Sequence, residues 1–356
     1  MLIRTQTFTV NKRFPLTISR GTTAQTTNVL VIVEADGIEG WGEASPFSIG
    51  GKPQTTENII TSLQEIAPLL KYYSPLDRQK IEQILIDTET KNNLLIPSAA
   101  KAALDTALHD WLGKKLQMPL WKIWGLDTSR IVPTSVTIGI NSPAGARERV
   151  RKWLEFTEVK LLKVKLGNPD GIDADREMLL AVQDEAPHIP LMVDANCAWN
   201  LDYAIKMSHW LAQLGIKYIE QPLPVGDEEK LKLLRLKSPL PIFVDESCFN
   251  SSDIPRLAEL VDGINIKLMK AGGLTEVLKM IHTARACNLQ VMFGCYSDSC
   301  LANTAMSQLA PLADYLDLDS HLNLIDDPFT GATMKKGCLI PNNLSGLGVQ
   351  KRASNT

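Results

Sequence analysis

No stretch of the 356-residue chain approaches the ~18 uncharged apolar residues that a membrane-spanning helix needs. Cysteine is sparse: Cys197, Cys248, Cys287, Cys295, Cys300 and Cys338 form no CxxC pair, which argues against a disulfide framework or a zinc site and for reduced, buried thiols. An excess of one charge is missing as well. Thirty-seven basic residues face 40 acidic ones, a net charge of −3, with no long basic or acidic block, so neither nucleic acid nor an anionic membrane is an expected partner. The opening MLIRTQTFTV alternates polar and apolar residues like a strand instead of running apolar like a leader, which leads us to expect a cytoplasmic protein. What survives these exclusions is small-molecule chemistry in a chain whose 44% hydrophobic content can bury a large core.

From residue 130 onward eight short β-rich runs recur: TSVTIG (134–139), LLKVKL (161–166), LMVDAN (191–196), YIEQPL (218–223), IFVDES (242–247), INIKLM (264–269), VMFGCY (291–296) and YLDLDS (315–320). Between them lie segments with helical apolar spacing, such as LDYAIKMSHWLAQLG and LTEVLKMIHTARAC. Strand alternating with helix implies right-handed βαβ units and a parallel sheet, either a closed barrel or an open doubly wound sheet. The placement of charge favours the barrel. From Lys163 the steps to Asp194, Glu220, Asp245 and Lys267 are 31, 26, 25 and 22 residues, one functional side chain per βα unit at the strand ends that converge on a barrel mouth. Residues 1 to about 125 read as an α+β unit with a tightly packed, alanine-rich helix in AAKAALDTALHDWLGKKL, and the Gly- and Pro-rich end of the chain is expected to leave the barrel and return to it.

Asp194, Glu220 and Asp245 on three consecutive strands would repel one another unless a cation sat among them. Oxygen-only ligation at an open site fits Mg²⁺, with Mn²⁺ as a substitute; isolated strand-end acids are the plainer alternative. Lys163 and Lys165, two apart, share one face of their strand. Lys165 on strand two and Lys267 on strand six would approach a central ligand from opposite sides, each with its pKa lowered by desolvation and neighbouring cations, and two bases flanking one carbon can invert it. A solubilising edge strand or a Schiff-base lysine, as in aldolases, are the competing readings.

KVK, VDAN, IEQP, VDES and NIKLMKAGG, in this order and spacing, resemble the enolase superfamily and its muconate lactonizing enzyme subgroup over essentially the whole chain. The resemblance implies a modified TIM barrel, (β/α)7β, over residues 126–325, with an N-terminal α+β capping domain over 1–125 completed by a C-terminal tail, 326–356. It implies Lys165 and Lys267 as the acid/base pair and Lys163 as an auxiliary cation touching the substrate carboxylate. It also implies Asp194, Glu220 and Asp245 as ligands of one Mg²⁺ per site, acting through an enediolate. Asn196, Gln221 and Glu246 adjoin those ligands, Lys270 reads as a structural companion, and Gly272 and Gly273 as a turn.

Within the subgroup the informative stretch is LDLDS. Asp317 and Asp319 face the same way with no nearby basic sequence to pair them, so a cationic ligand group is expected, unless they are surface acids ahead of His321. This DxD resembles the dipeptide epimerases, where it holds the substrate ammonium. The expected function is therefore inversion of the C-terminal α-carbon of a dipeptide, with o-succinylbenzoate synthase, N-acylamino acid racemase or cycloisomerase chemistry as the alternatives. SRGTTAQ (19–25) and PFSIGGK (46–52) resemble loops that close over the substrate. Arg20 would pair with an acidic side chain, as in an Ala-Glu dipeptide, or tie its own loop down; Phe47, Ile49, Gly50 and Gly51 suit an apolar side chain. Thr137, Ser297 and Asp298 complete the expected substrate-binding set, the latter two through backbone carbonyls facing the ammonium. The partner is thus a small dipeptide, and a homo-oligomer is compatible with the sequence.

Overall fold

The computed structural model describes residues 1–91 and 95–353. Strands β1 (Leu2–Ile18) and β2 (Gly21–Ala35) form a long antiparallel hairpin, paired from Leu2 with Glu34 to Ile18 with Gly21, and β3 (Ile38–Ala44) adds to its inner edge. A second hairpin follows at once, β4 (Phe47–Ile49) and β5 (Lys52–Gln54), turned by Gly50 and Gly51, whose φ values of 58° and 74° lie in the region that a two-residue hairpin turn requires. Helices α1 (Thr56–Leu70), α2 (Arg78–Lys91) and α3 (Ser98–Lys115) complete this cap. The close packing expected of the alanine-rich segment is present: a Cβ on Gly40 or Gly42 of β3 would run into the Ala107 or Ala103 carbonyl of α3.

Eight parallel strands follow, one for each β-rich run: β6 (Val136–Ile138), β7 (Leu162–Lys165), β8 (Leu191–Asp194), β9 (Ile219–Glu220), β10 (Ile242–Val244), β11 (Gly263–Lys267), β12 (Gln290–Gly294) and β13 (Tyr315–Leu316). They pair in chain order. The ring closes through a parallel bridge between Thr134 and Leu316, where the Ser135 N–H donates to the Leu316 carbonyl at 2.8 Å. Seven helical connections join the eight strands, the one between β10 and β11 shrunk to a turn at Ile254–Leu257, and only a 3₁₀ turn follows β13. Pairing aligns Lys165 with Asp194 and Asp194 with Glu220, so the chemistry-bearing residues form a lateral row at the carboxyl ends. The opposite end of the bore is plugged by Met192, Tyr218, Phe243 and Met292, with Tyr315 packed edge-on against both rings.

The tail folds back onto the cap. Strand β14 (Phe329–Thr330) pairs with β17 (Gln350–Lys351), around a hairpin of β15 (Thr333–Lys335) and β16 (Cys338–Ile340). It is stitched to the cap by Phe329 against Phe8, at 5.3 Å between ring centroids, and by the Leu347 N–H donating to Asp110 of α3 at 2.8 Å. All six cysteines are free; Cys248 and Cys300 are buried and the other four half-buried.

Candidate active site

The barrel mouth gathers what the spacing expected. Lys163, Asp194, Glu220 and Asp245 are at most 1% exposed, and Lys165, Lys267, Asp317 and Asp319 between 5% and 7%. Charges this deep are tolerated only in mutual contact. Lys165 Nζ donates to Asp194 at 2.6 Å, and Lys163 Nζ sits 2.8 Å from Glu220, 2.7 Å from Asp317 and 3.4 Å from Asp194. Lys267 and Lys270 each lie 2.7 Å from Asp245, and Lys270 also donates to the Asp245 and Asn265 carbonyls. Lys165 on β7 and Lys267 on β11 stand four strands apart in a ring of eight, on opposite walls.

Two expectations require correction. Lys165 and Lys267 were expected to have lowered pKa values; burial does pull Lys267 down, but the facing Asp245 carboxylate outweighs it and holds it well above the ordinary value, as Asp317 and Glu220 do for Lys163. Asp317 was expected to lack a basic partner; barrel closure instead brings it to Lys163, 154 residues away in sequence, and to the Ser135 hydroxyl at 2.7 Å. Among the described residues Asp319 has no ammonium at ion-pair distance, although Lys12 feels its charge: its carboxylate accepts the Thr137 N–H at 2.7 Å, and burial together with the charge of Asp317 pushes it up to about 6.

The donor set suits a hard divalent cation: three buried carboxylates on adjacent strand ends, oxygen only. Burial and the neighbouring charge of Asp194 push Glu220 up to about 7, so the cluster is short of positive charge at that acid. Asp194 and Asp245 behave differently: burial would raise both, but the lysine ammoniums overcome it and hold them below the usual carboxylate range. Among the described residues no three such side chains are already gathered on one point, because the oxygens of Asp194 and Asp245 are turned toward the lysines.

The loops after the strands are locked in place. Asn196 and Gln221 sit at φ 43° and 36°, a costly region for non-glycine residues. The Gln221 amide oxygen accepts the Asp245 and Ser247 N–H groups at 2.9 and 3.2 Å, and its nitrogen donates to Leu223 and Ser247, which fixes the turn and the backbone of Asp245 together. Asn196 donates its N–H to Asp194 at 2.8 Å. Gly272, at φ 93°, ends the short helix after Lys267.

The cap covers this mouth. Arg20 sits 2.8 Å from Glu246 and donates to the Asn196 carbonyl at 3.2 Å, and Ser19 donates to the same carbonyl at 2.9 Å. Phe47 stacks on Tyr296, centroids 4.4 Å apart, and the Tyr296 ring lies 4.5 Å from Lys267 Nζ. Ile49 is buried. The Ser297 carbonyl accepts from Asn28, and the Asp298 carbonyl from Asn303 and Ser320, so both expected ammonium acceptors already hold a donor. A separate open cavity of about 740 Å³ lies between α2, α3 and helix Leu274–Ala286, lined in part by Leu85, Leu104, His109 and Trp124, away from these charges.

Sequence reasoning missed Tyr296, Asn265 and Glu43. Asn265 donates to Glu220 at 2.8 Å and stands two residues before Lys267, so the period of two that pairs Lys163 with Lys165 would have found it. Tyr296 and Glu43 left no such signal.

Residues 2–125 match the family described as mandelate racemase / muconate lactonizing enzyme, N-terminal domain, and residues 145–354 match enolase C-terminal domain-like. A hydrophobic dipeptide epimerase of a Flavobacteria bacterium is 45% identical over 96% of this chain and 95% of its own. An L-Ala-D/L-Glu epimerase of Bacteroides thetaiotaomicron is 36% identical over 95% of this chain and 85% of its own. The crystal structure of a dipeptide epimerase from Enterococcus faecalis, complexed with Mg and the dipeptide L-Leu-L-Tyr, superposes with a TM-score of 0.89 at 30% identity, covering 98% of both chains.

Proposed function

The chain belongs to the enolase superfamily, with the N-terminal domain of the mandelate racemase and muconate lactonizing enzymes, and on that premise we propose that it is a Mg²⁺-dependent dipeptide epimerase. The observation that carries this reading is the placement of Lys165 and Lys267 on opposite walls of the barrel with a row of carboxylates between them. One lysine takes the α-proton of the C-terminal residue and the other returns a proton to the opposite face, which inverts the centre. Asp194, Glu220 and Asp245 would hold the ion, which when bound supplies positive charge where the substrate carboxylate becomes more negative. Mn²⁺ would serve in its place. Lys163 adds a fixed cation beside that carboxylate. Asp319, with no ammonium at ion-pair distance among the described residues, holds the substrate N-terminus, with Asp317 behind it on Lys163 and Thr137 orienting both.

We further infer that the preferred dipeptides have apolar side chains. Arg20 is engaged by Glu246, leaving no free cation on that loop for an acidic side chain, and Phe47, Ile49 and Tyr296 offer apolar surface. The epimerase at 45% identity is named for hydrophobic dipeptides and the one at 36% for Ala-Glu. Residues 1–125 would serve as cap, 126–325 as catalytic barrel and 326–356 as a strap between them. Among the described residues no helix is long and apolar enough to cross a membrane, and we place the enzyme in the cytoplasm.

The test is incubation with Mg²⁺ and a panel of dipeptides in D₂O, following the C-terminal α-proton by NMR. Exchange with appearance of the other diastereomer, lost with EDTA and with Lys165→Ala, is the expected result. Epimerisation that survives Asp317→Asn combined with Asp319→Asn would overturn the ammonium site, and failure of every dipeptide to exchange would overturn the epimerase.

A further inference from the structure

We propose that Glu43, outside the barrel and remote in sequence from the residues it would position, is a positioning residue for the Lys267 half of the site. Glu43 lies on β3 of the cap, fully buried, and its carboxylate crosses to the loop after β12. One oxygen accepts the Ser299 N–H at 2.9 Å and the Asn28 amide at 2.6 Å. The other accepts the Ala302 N–H at 3.1 Å and the Ser299 hydroxyl. Asn28, from β2, uses the same amide nitrogen to hold the Ser297 carbonyl at 2.9 Å. The two cap residues thus fasten 297–302, the turn after β12 and the first turn of the helix Cys300–Ser307.

That segment begins directly after Tyr296, the ring above Lys267, and Glu43 stands four residues before Phe47, the ring stacked on Tyr296. The pin therefore joins both ends of a short circuit: β3, Phe47, Tyr296, the 297–302 segment and back to Glu43. With the circuit intact, the Tyr296 face fixes where the Lys267 ammonium sits through a cation–π contact at 4.5 Å. Lys165 has no share in it; the cap reaches its wall through Ser19 and Arg20 instead. Loss of Glu43 should misplace one base and spare the other.

This inference rests on the two-base reading, and a one-sided defect has a signature that general destabilisation lacks. When only one lysine is aligned, one diastereomer still loses its α-proton to solvent deuterium but is returned without inversion. With Mg²⁺-loaded enzyme and both diastereomers of an apolar dipeptide, Glu43→Ala should lower the inversion rate by about 10- to 100-fold, with KM moving less than about threefold. The exchange-to-inversion ratio should rise for one diastereomer only. Glu43→Gln, which keeps an acceptor, should restore part of the rate, and Asn28→Ala should reproduce the same asymmetry more weakly. Exchange and inversion falling in proportion for both diastereomers, or not falling, would overturn the proposal; should Glu43→Ala fail to fold, the other two variants decide by the same ratio. Hydrogen–deuterium exchange of the full-length protein supplies an arm independent of turnover: protection lost at 295–303 and kept at 161–167 supports the pin, and unchanged protection at 295–303 overturns it. If the unmodified protein exchanged no dipeptide, the epimerase reading would fall and this arm alone would judge Glu43.

Discussion

The two ends of one barrel are filled in opposite ways. At the amino-terminal end Met192, Tyr218, Phe243 and Met292 form an apolar plug, with the Tyr218 hydroxyl satisfied by the Met292 sulfur at 3.2 Å. At the carboxyl end the bore holds Lys163, Lys165, Lys267, Asp194 and Glu220, the last two standing two residues beyond Met192 and Tyr218. Lys163 pairs across the sheet with Met192, and Glu220 with Phe243. Burial at the plug releases water from apolar surface and stabilises the fold, whereas burial at the mouth costs desolvation that ion pairs only offset. Stability and reactivity are thus stacked in adjacent layers of one scaffold, and mutations should separate them.

The largest effect should come from the mouth. Lys165→Ala or Lys267→Ala removes a proton carrier, and inversion should fall by roughly 10²- to 10⁴-fold or more. A variant that inverted dipeptides at close to the normal rate would show that the lysines serve the fold instead. At the plug, Phe243→Ala should act the other way, costing about 3–5 kcal/mol in urea denaturation while leaving kcat of the folded fraction within a few fold. A similar loss of kcat without loss of stability would dissolve the distinction between the layers.

Protonation offers a finer cut. Burial and the charge of Asp317 raise Asp319 in the folded state to about 6 from an ordinary 3.8, so the folded protein binds a proton between these values that the unfolded chain releases. Stability from this group is present below the unfolded value and is lost as pH rises through about 6, amounting to at most about 3 kcal/mol. Asp319→Asn should therefore raise Tm relative to the parent more at pH 7.5 than at pH 5, and the dipeptide KM of the parent should climb as acid neutralises the ammonium site. A Tm difference independent of pH would contradict the assignment. The plug offers no titration here, since burial raises Tyr218 well above its ordinary value.

How much of this was readable in advance follows the same division. Period-two runs and one charge per βα unit expose the strands and the row of acids, because each signal is local and the barrel repeats it. Pairs that exist only through barrel closure or the docking of the cap are silent: Lys163 with Asp317, Phe47 with Tyr296, and Glu43 with Ser299 are each more than 150 residues apart. Lys165 and Lys267 were expected to have lowered pKa values from desolvation and neighbouring cations; the neighbour that Lys267 finds in space is the Asp245 carboxylate. Arg20, which sequence left between a substrate role and a structural one, lies against Glu246 for the same topological reason.

The smallest and sharpest comparison uses two glycines of the barrel, one in each layer. A Cβ on Gly263 of β11 would run into the Phe243 ring, and one on Gly294 of β12 would meet the Asn265 side chain at 2.7 Å and the Lys267 Cε at 3.0 Å. Neither glycine has a positive φ, so the backbone tolerates alanine at both positions and the added methyl is the whole perturbation. Overpacking of this kind costs about 1–3 kcal/mol, and which function bears it depends on what must move. At Gly263 the obstacle is a ring wedged among other rings, so Gly263→Ala should lower the urea midpoint with kcat nearly unchanged. At Gly294 the obstacles are two side-chain ends, the Asn265 amide and the Lys267 Cε, which can turn aside at less cost to the fold than a wedged ring, so Gly294→Ala should leave the midpoint close to normal. Its kcat should fall by about tenfold as Lys267 loses its line to the α-carbon. The reverse pattern would mean that the charged layer, not the plug, determines the stability of the barrel, since in that case the lysine could not move without unfolding its surroundings.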